Sequence, residues 1–167
     1  RINRRHTPEE TVRAFYLAKS KGFTVNMDLI AGLPGESEES FIRSVKRCVE
    51  LAPENITVHT LALKRGSELR EKAASEGSDA SVVGMVENAR EILHEAGYYA
   101  YYMYRQKYVR GNLENVGYTL PGSQCLYNID MMEERRSVLA CGANAISKRI
   151  FASQNRIERL ADTKDVS

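Results

Sequence analysis

Residues 26–37 read Asn-Met-Asp-Leu-Ile-Ala-Gly-Leu-Pro-Gly-Glu-Ser, an apolar run that carries one carboxylate, Asp28, and closes in a loop of glycines and a proline. A buried carboxylate without a partner is costly, so Asp28 needs a hydrogen-bonding or cationic neighbour. Two readings meet that need: a structural partner, such as a backbone amide or an arginine, or a bound ligand. In a strand, alternation puts Val25, Met27 and Leu29 on one face and Asn26, Asp28 and Ile30 on the other. In an α/β layer the oily face meets helices, and polar groups near a strand's carboxyl end lie where such folds bind ligands. The loop has neither Gly-x-Gly-x-x-Gly nor the Lys-Ser/Thr of a P-loop, so it does not read as a phosphate cradle. Its glycines allow a tight turn from strand to helix.

The other residues able to do chemistry are less pointed. Cys48, Cys125 and Cys141 are odd in number and widely spaced, which fits neither a disulfide framework nor a Cys-x-x-Cys metal site. They read as free thiols in a reducing compartment, with Cys48 in core packing. His59 reads as a satisfied core or edge histidine, and His6 and His94 have no diagnostic setting.

The elements that position these residues follow from local pattern. Thr7-Pro8-Glu9-Glu10 is a capping box with a preset proline, predicting a helix to about Lys21 with Gly22 as its left-handed stop. Phe23–Ile30 predicts a strand. Ser37 opens a second helix with the stripe Phe41, Val45, Cys48 and Val49, ended by Pro53, and Ile56–Leu61 predicts a second strand. This alternation implies parallel strands with covering helices. After Leu63 a polar stretch reads as a connection, with room for one short helix. Val82, Met85, Val86, Ala89, Ile92, Leu93 and Ala96 then recur at helical spacing up to Gly97. The stretch Tyr-Tyr-Ala-Tyr-Tyr-Met-Tyr favours a strand, and residues 137–151 and 155–160 predict further short strands, so the second half reads as α+β. No internal repeat or low-complexity tract is present, which sets aside solenoid and disordered classes.

Composition bounds the rest. With 24 basic and 22 acidic side chains, the net charge of +2 gives no uniform field toward nucleic acid or an acidic membrane. No segment approaches the ~20 consecutive apolar residues needed to span a bilayer, and no apolar stretch follows Arg-Ile-Asn-Arg-Arg as in a signal peptide. The expectation is a soluble, cytoplasmic chain of one or two compact units. It begins without methionine and stops at Thr-Lys-Asp-Val-Ser, and is expected to be a piece of a longer protein.

Residues 26–37, with Ile-Asn-Arg-Arg-His-Thr before them and Ile-Thr-Val-His-Thr-Leu-Ala-Leu-Lys-Arg after, resemble the middle of the radical S-adenosylmethionine family of oxygen-independent coproporphyrinogen III oxidases. Tyr-Arg-Gln-Lys, Gly-Asn-Leu-Glu-Asn-Val-Gly-Tyr and Leu-Ala-Cys-Gly-Ala-Asn-Ala-Ile-Ser-Lys resemble that family's C-terminal part, in particular its coproporphyrinogen dehydrogenase-like subgroup. The resemblance spans essentially the whole chain. It implies an α/β fold: residues 1–65 as the last strands and helices of a partial (β/α) radical-SAM barrel, and residues 66–167 as a small family-specific α+β C-terminal domain. It also implies S-adenosylmethionine beside a 4Fe-4S cluster, an electron donor to that cluster, and a porphyrinogen substrate. The implied chemistry abstracts a propionate β-hydrogen and releases carbon dioxide to leave a vinyl group, repeated to give protoporphyrinogen IX. The protein's part is to position the cofactor and exclude competing reactions.

Residue by residue, Arg4 falls at a ligand-binding arginine of the family and Asp28 at the strand aspartate that contacts S-adenosylmethionine. Ala62 falls at a backbone contact and Ile146 at a further contact. Arg4 read without the resemblance is part of a solvated cationic turn or of a truncated end with no native neighbours. The family's Cys-x3-Cys-x2-Cys cluster motif is absent from this chain, and Cys48, Cys125 and Cys141 cannot replace it by spacing. The motif is expected upstream of Arg1, the fragment alone is expected to be inactive, and its first strands are expected to leave an exposed edge. Arg105, close to Lys107 and Arg110, suits a substrate propionate, with a surface charge at a strand end as the alternative. Besides the oxidase, two classes remain: a heme-binding chaperone of the same family, and a nucleic-acid or protein-binding module, which the balanced charge disfavours.

Overall fold

The computed structural model describes residues 5–62, 79–106 and 110–163. Helix α1, Pro8–Ser20, starts at Thr7, whose hydroxyl accepts the Glu10 N–H while the Glu10 carboxylate accepts the Thr7 N–H. Its end shortens the strand predicted from Phe23. The Phe23 N–H returns to the Ala18 carbonyl (3.2 Å) and the Val25 N–H goes to Glu54 Oε2 (2.9 Å), so neither is free for a ladder. Strand β1 therefore covers Asn26–Ala31. Helix α2, Glu38–Leu51, is capped by Ser37 as expected, and β2 covers Asn55–Thr60. The two strands are parallel, in register from Asn26 with Asn55 to Ala31 with Thr60.

The predicted amphipathic helix is α3, Asp79–Glu95, and the tyrosine-rich strand is β3, Tyr99–Tyr104. The polar connection predicted before α3 lies mostly outside the described residues. Strand β4, Asn115–Thr119, lies between β2 and β3 and is antiparallel to both, so the sheet order is β1-β2-β4-β3. Sequence pattern did not reveal β4, because a five-residue strand with Gly117 at its centre reads locally as a turn.

Helices α2 and α3 pack together and against the apolar face of this sheet. Phe41 and Val45 of α2, Met85 and Leu93 of α3, and Ile56 and Val58 of β2 are buried in one core, with Met27 and Leu29 packed on it. The opposite sheet face carries Asn26, Asp28, Thr57, His59, Gly117, Tyr102 and Tyr104. The alternation predicted for β1 is thus the one observed.

Two compact units are present, Arg1–Gln124 and Cys125–Ser167. The division expected at residues 65 and 66 lies outside the described residues, while β2 before it and β4 after it share one sheet. The second unit contains α4, Leu126–Met132, and a hairpin of β5, Ile146–Phe151, with β6, Arg156–Ala161. The strand expected from residue 137 onward begins only at Ile146. Gly142 (φ +127°) and Asn144 (φ +61°) turn the chain before it, and Val138 makes a single bridge to Lys148.

Candidate functional site

Asp28 stands on the polar face of β1, with 61% of its side chain exposed. Its register partner on β2 is Thr57, whose partner on β4 is Gly117, whose partner on β3 is Tyr102. This row explains the glycine: a Cβ on Gly117 would overlap the Tyr102 ring. With no side chain in the way, Tyr102 lies across β4 and its hydroxyl comes within 3.2 Å of Thr57 Oγ1. Thr57, fully buried, donates to Asn26 Oδ1 (3.0 Å), and Asn26 Nδ2 donates to Asp28 Oδ1 (2.7 Å). A hydrogen-bonded line therefore runs from Tyr102 through Thr57 and Asn26 to Asp28.

A second contact comes from His59, whose Nε2 lies 3.4 Å from the same Oδ1. Hydrogen bonding from His59 is the largest influence on the Asp28 carboxyl and holds it below the usual aspartate value against the opposing effect of burial, with Asn26 assisting. Asp28 is therefore exposed where the sequence suggested a buried carboxylate, and its structural neighbours Asn26 and His59 both approach Oδ1.

The loop after β1 turns through Gly32 (φ +84°) and Gly35 (φ +72°), values that favour glycine. Beside them, burial pushes the Glu36 carboxyl above the usual glutamate value, and its Oε2 has no partner among the described residues.

Of the other residues singled out from sequence, Ala62 follows the carboxyl end of β2, just after Leu61, whose N–H donates to the Ala31 carbonyl (3.0 Å). It thus shares an end of the parallel pair with the loop that follows Asp28. Ile146 opens β5 in the second unit, 55% exposed and paired with Ala161. Arg105 follows β3 and its guanidinium donates to Glu114 Oε1 (3.2 Å) on the surface. Arg4 and Lys107 lie outside the described residues, as does the Arg110 side chain. Sequence reasoning placed Asn26 on the face of Asp28 without pairing the two, missed Thr57, Tyr102 and Tyr104 on this face, and left His59 without a named partner. The alternation of Tyr102 and Tyr104 was the available signal for β3's polar face, but nothing local tells which strand lies beside it.

These groups fit a ligand rich in hydrogen-bond donors. S-adenosylmethionine offers an ammonium, ribose hydroxyls and an adenine amine, each suited to an exposed carboxylate whose other oxygen is already held. A metal cluster does not fit: no group of three or more His, Cys, Asp or Glu among the described residues can hold a metal ion, and the three cysteines are free. No described helix is long and apolar enough to cross a membrane.

No family model matches the chain. It is 44% identical over 98% of its length to HemZ of Bacillus subtilis, an oxygen-independent coproporphyrinogen-III oxidase-like protein, covering 33% of that protein. The heme chaperone HemW of Escherichia coli is 26% identical over 98% of this chain and 40% of its own length. The solved structure of HemN from Escherichia coli, a coproporphyrinogen III oxidase and radical SAM enzyme, matches 98% of this chain and 37% of that one with a TM-score of 0.68 at 20% identity. Over nearly its whole length the chain is similar in sequence to HemZ and HemW, and it shares the fold of the matching part of HemN. It spans about a third to two fifths of the length of these relatives. The HemN match carries the mixed α/β fold, and the relatives include both oxidase and chaperone.

Proposed function

We propose that the full-length protein is a cytoplasmic radical SAM oxidoreductase of heme biosynthesis. In this reading it converts coproporphyrinogen III to protoporphyrinogen IX by anaerobic oxidative decarboxylation. The observation that carries it is Asp28: an exposed carboxylate, braced on one oxygen, on the strand of a chain 44% identical to HemZ. Asp28 and Arg4 contribute polar contacts to S-adenosylmethionine, Ala62 a backbone contact and Ile146 an apolar one. When bound, S-adenosylmethionine with the 4Fe-4S cluster supplies the radical chemistry; this chain's residues bind and orient it. The cluster's thiolates must come from outside the described residues, and a separate electron donor must serve it. Arg105, whose guanidinium donates to Glu114, would exchange that carboxylate for a substrate propionate. We assign residues 1–65 to a partial barrel and residues 66–167 to the family-specific domain, whose β3 and β4 extend the same sheet. The chain alone is expected to be inactive.

The test is an anaerobic assay of the full-length, cluster-reconstituted protein for S-adenosylmethionine cleavage and porphyrinogen conversion. Asp28→Ala is expected to weaken S-adenosylmethionine binding by roughly 10–100-fold, the range of one hydrogen bond to a charged group. Unchanged binding would remove Asp28 from the site. A second reading, a heme chaperone, is supported by the match to HemW over 98% of the chain. Cofactor cleavage with the porphyrinogen untouched, together with a heme absorbance band on titration, would decide for it.

A further inference from the structure

Asp28 is joined to a group that no cofactor contact requires. Asn26 Nδ2 at 2.7 Å and His59 Nε2 at 3.4 Å both approach Oδ1 of its carboxylate. The other ring nitrogen of His59, Nδ1, lies 3.2 Å from the Tyr104 hydroxyl. An ionised carboxylate only accepts, so the proton of a neutral His59 sits on Nε2, and Nδ1 is then an acceptor for the Tyr104 O–H. In that tautomer Tyr104 donates to His59, whose Nε2–H faces Asp28 Oδ1 at 3.4 Å.

The arrangement draws on three strands. Asp28 comes from β1, His59 from β2 and Tyr104 from β3, although β4 separates the last two. Tyr104 is opposite Asn115 on β4, and the Asn115 side chain accepts the Thr60 N–H (2.7 Å) instead of competing for His59. The Tyr104 ring meets the imidazole edge-on, with centroids 6.3 Å apart at 70°, and runs parallel to Tyr102. His59 is half-buried, so its tautomer is set by these neighbours more than by solvent.

We propose that His59, held in its Nε2–H tautomer by Tyr104, is a positioning residue that occupies Asp28 Oδ1 and thereby presents Oδ2 to a donor of bound S-adenosylmethionine. The inference rests on the reading of Asp28 as a cofactor contact. Neither His59 nor Tyr104 touches the cofactor in it. Their effect passes through Asp28, so their variants must be coupled to each other and to Asp28.

The experiment measures equilibrium binding of S-adenosylmethionine to the full-length, cluster-reconstituted protein by anaerobic dialysis, with urea unfolding of each variant as a folding control. His59→Leu is expected to weaken binding roughly tenfold and Tyr104→Phe a few-fold, as for loss of one direct and one relayed hydrogen bond. The double variant should bind no worse than His59→Leu, because Tyr104 acts only through the ring. His59→Gln, whose amide can donate to Oδ1, should recover most of the loss. Tyr104→Phe, the mildest change, keeps the test open should His59→Leu unfold. Asp28→Ala separates the two readings. If it abolishes binding while the His59 and Tyr104 variants bind like wild type, or if the two losses simply add, the positioning role is overturned and the cofactor reading stands. If Asp28→Ala binds normally, the cofactor reading has failed and the positioning role with it.

Discussion

At the scale of single residues, the polar sheet face depends on two side chains whose sizes are matched. Gly117 leaves room for the Tyr102 ring, so Gly117→Ala is expected to cost about 1–3 kcal/mol through overpacking. In a Tyr102→Ala background the same change should cost close to nothing, and a double-mutant cycle by urea unfolding of the full-length protein reads the coupling. The two shifted carboxyls act with opposite signs. Asp28 titrates below its usual value, so its contribution to stability is present above the ordinary aspartate range and is lost as pH falls through the lowered pKa. Glu36 titrates above its usual value, so stability falls as pH rises from the ordinary glutamate value through the raised one. Glu36→Gln should remove that decline, and Asp28→Asn the acid-side loss, when unfolding midpoints are followed across the acidic range. The polar side of β1 was legible from alternation alone. The sign of the Glu36 shift was not, since burial of its carboxyl depends on what packs over the loop.

At the scale of elements, helix α2 carries the largest share of what the sequence made legible. Ser37 caps it, Phe41, Val45 and Cys48 form its buried stripe, and all were readable from helical spacing. Phe41→Ala is expected to cost about 3–5 kcal/mol, because the ring is almost wholly buried and its removal leaves a cavity. Cys48 lies in the same stripe, where burial pushes its thiol up to about 12. A thiol reagent at neutral pH should therefore label the exposed Cys141 promptly and Cys48 only once the protein is unfolded, a difference that peptide mass mapping would report. Strand β4 is the counter-example. Its pattern is short and broken by a glycine, and its strand character comes from hydrogen bonds to β2 and β3 on either side. Strand β1 begins later than the apolar run because its first amides are used by α1 and Glu54.

At the scale of the whole molecule, β1 ends the described sheet and has β2 as its one described neighbour, in keeping with the edge expected from the sequence. The parallel β1 and β2 pair, linked through α2, continues into the antiparallel β4 and β3. Residues on both sides of the polar connection therefore build one core. The sequence by itself determined the starts of α1 and α2, the alternating faces of β1 and the family resemblance, because caps, periodicity and motifs are properties of neighbouring residues. Only the tertiary structure decided that Asp28 meets His59, that His59 meets Tyr104 forty-five residues away, and that Gly117 accommodates Tyr102. Those contacts depend on strand order and register, which are settled by the packing of the whole sheet against α2 and α3 and leave no mark in any short stretch of chain.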